Sequence, residues 1–455
     1  FTGHFFMTRS GGGAMTAVAA CDQPVNLILS GPAGGVIGAV AFSKLIGRPN
    51  LITIDMGGTS LDASLVLGQA PVLYQGAEFE QLPINTPSLN IQTIGAGGGS
   101  IAFIDDGGAL QVGPKSAGAD PGPAAYGRGG VQPTFTDAAL VLGYLGTDTP
   151  LGGSLRLNAE SAEKSLAPIS ESLEMSTRSL ARGIIQISTT KIMGAVRAIT
   201  VELGLDPKDF GLLAFGGGGG LVAVDVAREL GIPEVIIPPG QGAFSALGML
   251  MADVQHDFAR TMVSPLEVVD KQVVRGLYLE METDANATLE REGFEPSDRK
   301  LVRMIDVRYS GQEHSVTATC PLNIDDEFGA TIRDEFEELH ERQYGHIMSD
   351  PIEITTLRVV AIGEIDKPLF PEAESRGSVK MPKPGSRAVF GASDEGEMYA
   401  LFAREDLRGG DSFDGPAVVT EHTATTVMHA GDHLAVGVHG EMIITIGSVN
   451  EVGER

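Results

Sequence analysis

Apolar and polar positions change their period along the chain, and the changes divide it. Ile192, Val196, Ile199 and Leu203 recur at the spacing of one buried helical stripe, inside a helix predicted over residues 176–205. Asp206-Pro207 ends it, because a residue before proline avoids helical backbone. Short, mostly apolar runs at 51–54, 63–67, 210–215 and 235–237 predict buried strands, with strands and short turns continuing to Gln75. Helices are predicted over 158–175, 221–230 and 244–251, and Thr136-Asp137 is expected to cap a helix running to Leu145. Pro32 marks a helix start, and the small residues after it allow close approach to a backbone or a ligand. Past Asp253 the character shifts to charged helices (270–292 and 325–344) and alternating strands (301–309, 314–320 and 353–365). A linker rich in proline and charge follows at 367–387, and then a run of short strands and turns.

These patterns predict an α/β lobe with a mixed sheet and flanking helices over 48–255, an α+β domain over 256–366 and a small all-β C-terminal domain over 367–455. Residues 1–47 read as the tail of an N-terminal lobe whose body lies upstream.

Composition narrows the function classes. A formal net charge of -27 disfavours nucleic acid, which needs clustered Lys and Arg. Trp is absent and aromatics are 5%, which disfavours stacking platforms for bases or sugars. Two cysteines, Cys21 and Cys320, stand far apart without a CxxC, so a thiolate zinc site is excluded and a cytoplasmic setting is expected. No apolar run reaches the roughly 18 residues of a membrane span, so no membrane partner is expected. Sixty glycines cluster in runs, which points to loops lined by backbone.

Two such runs carry the candidate chemistry. In the first, a strand delivers Asp55 into Gly57-Gly58-Thr59-Ser60, and Asp62 opens the next apolar run. That pattern is a hairpin whose turn offers bare amides and hydroxyls between two carboxylates. The amides suit a phosphate and the carboxylates suit Mg²⁺ with its waters; an ordinary Asx/Gly turn is the alternative. In the second, a strand ends in Gly216, Gly217, Gly218, Gly219 and Gly220 before a helix. This places amides at a helix N-terminus, where anions and flat ligands can approach, the alternative being a packing turn. Neither a GxxxxGK[ST] nor a GxGxxG occurs. The stretch 90–133, rich in Gly, Pro and Ala, is expected to be a ligand-facing loop, with Gly97 and Gly98 among the cofactor-binding residues. No HExxH or GxSxG is present; His340 and His346 read as a surface helix end, and His422, His429 and His433 as structural.

The two glycine features together resemble the superfamily of sugar kinases, actin and heat-shock chaperones, an actin-like (ribonuclease H-like) ATPase lobe. A longer ordered string narrows this further: SerGlyProAlaGlyGlyValIleGlyAla (from Ser30), AspMetGlyGlyThrSer (from Asp55), GlyProLysSerAlaGlyAlaAspProGlyPro (from Gly113), ThrAspAla (from Thr136), AspProLysAspPhe (from Asp206), ArgTyrSerGlyGln (from Arg308) and AspGlyProAlaValValThrGlu (from Asp414). It resembles the hydantoinase A/5-oxoprolinase family. The resemblance implies ATP and Mg²⁺, a ring-amide substrate (hydantoin, 5-oxoproline or a lactam), and a hydantoinase B-like partner in an oligomer. A ketone-carboxylase branch and a non-catalytic nucleotide-binding scaffold are the alternatives. It further implies that Gly57, Gly58, Thr59 and Ser60 hold phosphate, and that Asp55 binds the metal through water with Asp62 as a metal or water-orienting partner. Gly216 to Gly219 would pass under the adenosine, and Lys115, Ser116 and Asp120 would stand near the transferred phosphoryl or the substrate. One departure stands out: Gly218, Gly220 and Val222 occupy positions where the family pattern has Ala, Pro and His.

Overall fold

The computed structural model describes residues 5–447 apart from 75–76, 80–81, 85–87 and 149, so Gln75, the expected end of the first strand region, lies outside the described residues. The chain forms two compact units. The first comprises Phe1–Arg9, Gly13–Ile28 and Ala252–Lys367, and the second Ser10–Gly12, Leu29–Met251 and Pro368–Arg455.

In the first unit, six strands form a sheet in the order Phe6–Thr8, Ala14–Thr16, Val254–Pro265, Ile352–Gly363, Arg299–Tyr309 and Val316–Thr319. The strand Ile352–Gly363 buries Ile352, Ile354, Leu357, Val359 and Ala361. Helix Lys271–Arg291 meets this core with Val274, Tyr278, Met281, Ala285 and Leu289, a helical stripe. Asp270 caps that helix by accepting from the amides of Gln272 and Val273. The acidic helix Phe328–Tyr344 continues its own stripe, Ile332 and Phe336, onto His340 at the same four-residue step, so His340 is fully buried and not on the surface as expected. Tyr309 and Phe336 pack edge-on against its ring, and Gln312 Nε2 and the His346 carbonyl lie 3.2 and 2.8 Å from its nitrogens.

The second unit is built on a nine-stranded sheet. Along its path the order is Ile91–Ile94, Leu61–Leu67, Leu51–Met56, Gly211–Phe215, Glu234–Ile237, Met442–Thr445, His433–Val436 and Ser412–Asp414. Leu51–Met56 is parallel to Gly211–Phe215 and antiparallel to Leu61–Leu67. Ile52, Ile54, Leu212, Ala214, Val235 and Ile237 are fully buried in one core, each side chain of that size contributing about 1.5–3 kcal/mol on burial for the larger ones. The C-terminal strands extend this sheet, with Ile444 opposite Val235, and the remaining terminal strands form a four-stranded sheet in the same unit.

Several elements differ in extent from their prediction. The stripe helix spans Thr177–Thr200 and tightens into a 3₁₀ turn, Val201–Leu203, closed by Gly204 at φ 71°. The stretch 90–133 is not one loop: it holds strands Ile91–Ile94, Ser100–Ile104 and Leu110–Ser116, whose Ile101, Ala102 and Val112 are buried. Helix Phe135–Val141 is capped by Thr134, not by Thr136-Asp137; Asp137 is its third residue and closes a capping box. The small residues after Ser30 bring helix Ser30–Ile46 against helix Phe244–Met249, so close that a Cβ on Gly38 would lie 3.0 Å from the Gly248 Cα.

Candidate functional site

The hairpin strands set two carboxylates side by side. Asp55 and Asp62 are direct cross-strand partners; Thr93 is the next partner beyond Asp62, and Phe215 the one beyond Asp55. Cross-strand partners share a face of the sheet. Asp62 Oδ1 accepts a hydrogen bond from Thr93 Oγ1 at 2.5 Å. Asp55 Oδ2 accepts a short one from Ser245 Oγ on helix Phe244–Met249. Both carboxylates are half-buried, and burial pushes both pKa values up, with the charge of Asp55 adding to the rise at Asp62. Among the described residues neither has a Lys, Arg or His at ion-pair distance.

The turn between them is open. Gly57, Gly58 and Thr59 are exposed and Ser60 is half-buried. The Gly57 amide donates back to the Ser60 carbonyl at 3.0 Å, while the amides of Gly58 and Thr59 meet no protein acceptor among the described residues. A second glycine run is seated on this turn. Gly98 N donates to Gly57 O at 3.0 Å and Gly99 N to Gly58 O at 2.6 Å. Gly97 passes so near that a Cβ there would lie 2.7 Å from backbone atoms of Gly58 and Thr59. Its own amide goes to Ser100 Oγ at 2.8 Å, and the Gly98 carbonyl accepts from Thr136 N and Oγ1 at 2.9 and 2.8 Å. The amides of Gly97 and Gly98 are therefore used inside the protein. In the structure these glycines brace the turn expected to hold the phosphate.

The five-glycine corner adjoins the carboxylates directly. It leaves strand Gly211–Phe215 with Gly216 at φ 78°. A Cβ on Gly216 would stand 2.5 Å from Asp55 Oδ1, so only glycine fits. Gly218 N donates to Met56 O at 2.9 Å. Gly217 is exposed, Gly218 is buried, and helix Gly219–Leu230 begins without a side-chain cap. Hairpin and corner thus lie next to each other at the carboxyl ends of two adjacent parallel strands, a recurrent ligand position in α/β sheets. Val222, at the family's histidine position, is fully buried in the apolar core.

The remaining candidates separate. Ser116 approaches the bracing loop, its Oγ 2.8 Å from where a Cβ of Gly99 would sit, and Ala117 N donates to Gly99 O at 2.8 Å. Lys115 and Asp120 are exposed on the same segment, with no hydrogen bond or ion pair among the described residues. Asp137 accepts from the amides of Ala124, Ala125 and Thr134 and from Thr134 Oγ1, which is a structural task. Ser245 and Thr93 complete the site without any signal in local sequence, and Thr136, marked in the sequence at a helix start, adds a hydroxyl that holds Gly98.

Among the described residues no group of three or more His, Cys, Asp and Glu side chains gathers as a metal site. Two adjacent carboxylates beside an open phosphate-sized turn nevertheless suit Mg²⁺, which keeps several waters and takes one or two carboxylates together with substrate phosphate. No helix among the described residues is long and apolar enough to cross a membrane.

Comparison with known proteins adds to this geometry. The hydantoinase/oxoprolinase family model matches residues 1–258, and the hydantoinase/oxoprolinase C-terminal domain matches residues 267–441. An uncharacterized protein of Methanocaldococcus jannaschii is 37% identical over 94% of this chain and 63% of its own length. The caprolactamase subunit alpha of Pseudomonas jessenii is 33% identical over 93% of this chain and 62% of its own. The acetophenone carboxylase gamma subunit of Aromatoleum aromaticum is 30% identical over 98% and 62%. The chain thus spans less than two thirds of the length of these relatives. Of solved structures, the ATP-dependent caprolactamase from Pseudomonas jessenii superposes with TM-score 0.82 at 31% identity, covering 96% of this chain and 65% of that one. Nucleotide-free acetone carboxylase superposes with TM-score 0.83 at 24% identity over 97% and 64%, a likeness of fold. The fold is that of the actin-like ATPases, with a mixed sheet and flanking helices.

Proposed function

The chain belongs to the hydantoinase/oxoprolinase family, and we propose that it is the nucleotide-binding part of an ATP-dependent enzyme that opens a cyclic amide. The observation that carries this reading is the pair Asp55 and Asp62, set side by side at an open glycine turn with no Lys, Arg or His at ion-pair distance among the described residues, and with Asp55 against Gly216. The amides of Gly58 and Thr59 and the hydroxyls of Thr59 and Ser60 receive phosphate oxygens. Gly216 to Gly219 and the helix N-terminus after them lie on the adenosine side. Mg²⁺, held by Asp55 through water with Asp62 beside it, would neutralise charge on the phosphates. Ser245 and Thr93 orient the two carboxylates through their hydroxyls, and Gly97 and Gly98 hold the turn in shape.

The chemical need is clear. An amide resists water until its oxygen becomes a leaving group. Attack of the amide oxygen on the γ-phosphorus forms an O–P bond and releases ADP. Water then adds to the carbon, the ring C–N bond breaks as the nitrogen takes up a proton, and a second water hydrolyses the resulting acyl phosphate to carboxylate and phosphate. Lys115, Ser116 and Asp120 are assigned to the region of the transferred phosphoryl and the substrate. The chain works in the cytoplasm within an oligomer that includes a hydantoinase B-type subunit, a reading in keeping with a relative that is itself named a subunit alpha.

A second reading, ketone carboxylation, is favoured by the acetophenone carboxylase relative. Phosphate release by the full-length protein with its B-type partner decides between them. Stimulation by hydantoin, 5-oxoproline or caprolactam supports the amidase. Bicarbonate incorporation into a ketone moves the assignment to the carboxylase. Absence of ATP hydrolysis with every substrate overturns both.

A further inference from the structure

Glu421 lies in the turn between strands Ala417–Thr420 and Thr425–Met428, which pair antiparallel in the second unit. It is half-buried, and both of its carboxylate oxygens are used. Oε1 accepts from the Gly240 amide at 3.0 Å and Oε2 from Gln241 Nε2 at 2.9 Å. Among the described residues no Lys, Arg or His stands at ion-pair distance from it, so its partners are these two amides. Hydrogen bonds to an ionised acceptor are roughly twice as strong as neutral ones. The same turn grips further along. Thr426 Oγ1 accepts from Gln241 Nε2 at 3.3 Å, and Gly242 runs so close to Thr423 Oγ1 that a Cβ has no room. Gln241 is 1% exposed.

Glu421 thereby holds the start of a short segment, residues 240–245, that touches the candidate site twice. The Gln241 carbonyl accepts from the Gly216 amide at 2.9 Å. Four residues on, Ser245 Oγ donates to Asp55 Oδ2. Between these contacts the backbone is a 3₁₀ turn, Gln241–Ala243, that runs directly into helix Phe244–Met249, so hydrogen-bonded backbone fixes their spacing. Gly216 itself stands against Asp55 Oδ1. A shift of the segment therefore disturbs the carboxylate and the glycine corner together.

We propose that Glu421 is a positioning residue for the nucleotide. Through residues 240–245 it keeps Asp55, on the metal side, in register with the corner at Gly216, on the adenosine side. This role rests on the nucleotide reading given above.

Calorimetric titration of the full-length protein with ATP in the presence of Mg²⁺ tests it. Glu421→Gln keeps the size but turns one oxygen into an N–H donor, which faces the Gly240 amide or Gln241 Nε2, donors themselves. Affinity should fall about tenfold, the level of one charge-assisted contact. Ser245→Ala, at the other end of the segment, should weaken it by a similar factor. The double variant should fall well short of the product of the two losses, because both changes release the same carboxylate. A residue that merely held the C-terminal strands would lower the melting temperature with affinity per folded molecule unchanged, or give losses that multiply, and either result overturns the proposal. If Glu421→Gln does not fold, Glu421→Asp, which keeps the charge and shortens the reach, takes its place in the comparison. Wild-type protein that binds ATP beside an unaffected Glu421→Gln removes the positioning role alone. Wild-type protein that binds no ATP removes the nucleotide reading and this role with it.

Discussion

Carboxylates are treated in opposite ways in the first unit and at the hairpin of the second. In the first, the buried Asp306 and the half-buried Glu282 and Glu353 are matched by arginines: Asp306 with Arg358 at 2.7 Å, Glu282 with Arg303 at 2.6 Å and Glu353 with Arg308 at 2.7 Å. At the hairpin of the second, Asp55 and Asp62 have each other, one serine and one threonine. Burial raises the pKa of both acids, and the charge of Asp55 adds to the rise at Asp62, so the fold carries them at a cost to its stability. Acids neutralised by the protein itself hold a sheet together. Acids without a cationic partner among the described residues, beside the tightly packed Gly216, are on the proposed reading placed for a ligand that arrives with its own cation.

Arg358→Met tests the first half of that contrast. It leaves Asp306, 3% exposed, with Thr317 as its remaining side-chain partner, and removal of one member of a buried pair costs about 3–5 kcal/mol. The melting temperature should fall while ATP affinity per folded molecule stays unchanged. Asp55→Ala should do the reverse. ATP turnover should drop about 10²–10³-fold, the usual scale for losing a charge-positioning group in an active site. The melting temperature should hold or rise, because an unneutralised buried acid has gone. Equal destabilisation by the two variants, with wild-type turnover in Asp55→Ala, would erase the contrast.

Gly97→Ala separates bracing from binding. The added methyl would press on the backbone of Gly58 and Thr59 at 2.7 Å, and the turn must shift. A stability loss of about 1–3 kcal/mol and a raised KM for ATP are expected, with kcat less affected. A variant with unchanged KM would show that the turn does not depend on its brace.

What the sequence disclosed follows from range. The hairpin and the strand–glycine–helix corner are local, so runs such as Leu51 to Ile54 and the five glycines from Gly216 marked them directly. Ser245 lies 190 residues from Asp55 and Thr93 lies 31 from Asp62, and no spacing rule connects either pair. The same applies to Thr136, whose hydroxyl holds Gly98 from 38 residues away. Strands within 90–133 were obscured by glycine and proline, which signal turns locally although Ile101 and Val112 are anchored by the core. His340 was misread because a lone polar residue near a helix end looks exposed, yet it continues the stripe of Ile332 and Phe336. Union of the terminal strands with the central sheet is likewise long-range, set by Val235 meeting Ile444.

The smallest expected effect sharpens the contrast inside the second unit itself. Asp225, on the helix that starts at the glycine corner, does have a partner: its Oδ1 lies 2.9 Å from His429 Nε2. His429 Nδ1 is 3.1 Å from the Tyr399 hydroxyl, and its backbone amide donates to Asp432, which also holds Arg228. Burial lowers the pKa of the imidazole and Arg228 opposes its charge, but Asp225 and Asp432 outweigh them and raise it above its usual 6.5. A raised histidine pKa means that the folded state holds the proton more tightly. The stabilisation is complete below the unfolded value of about 6.5 and fades as pH rises through the higher folded value. Wild type should therefore exceed His429→Gln in melting temperature most at about pH 6, by roughly 2–4 °C for about 1 kcal/mol, and the margin should shrink toward about pH 8.5. Asp55→Ala should show no such narrowing, because no imidazole or other cation answers that acid. A margin at His429 that widens with pH would mean that the ring is neutral in the fold and that Asp225, like Asp55, stands without a cation.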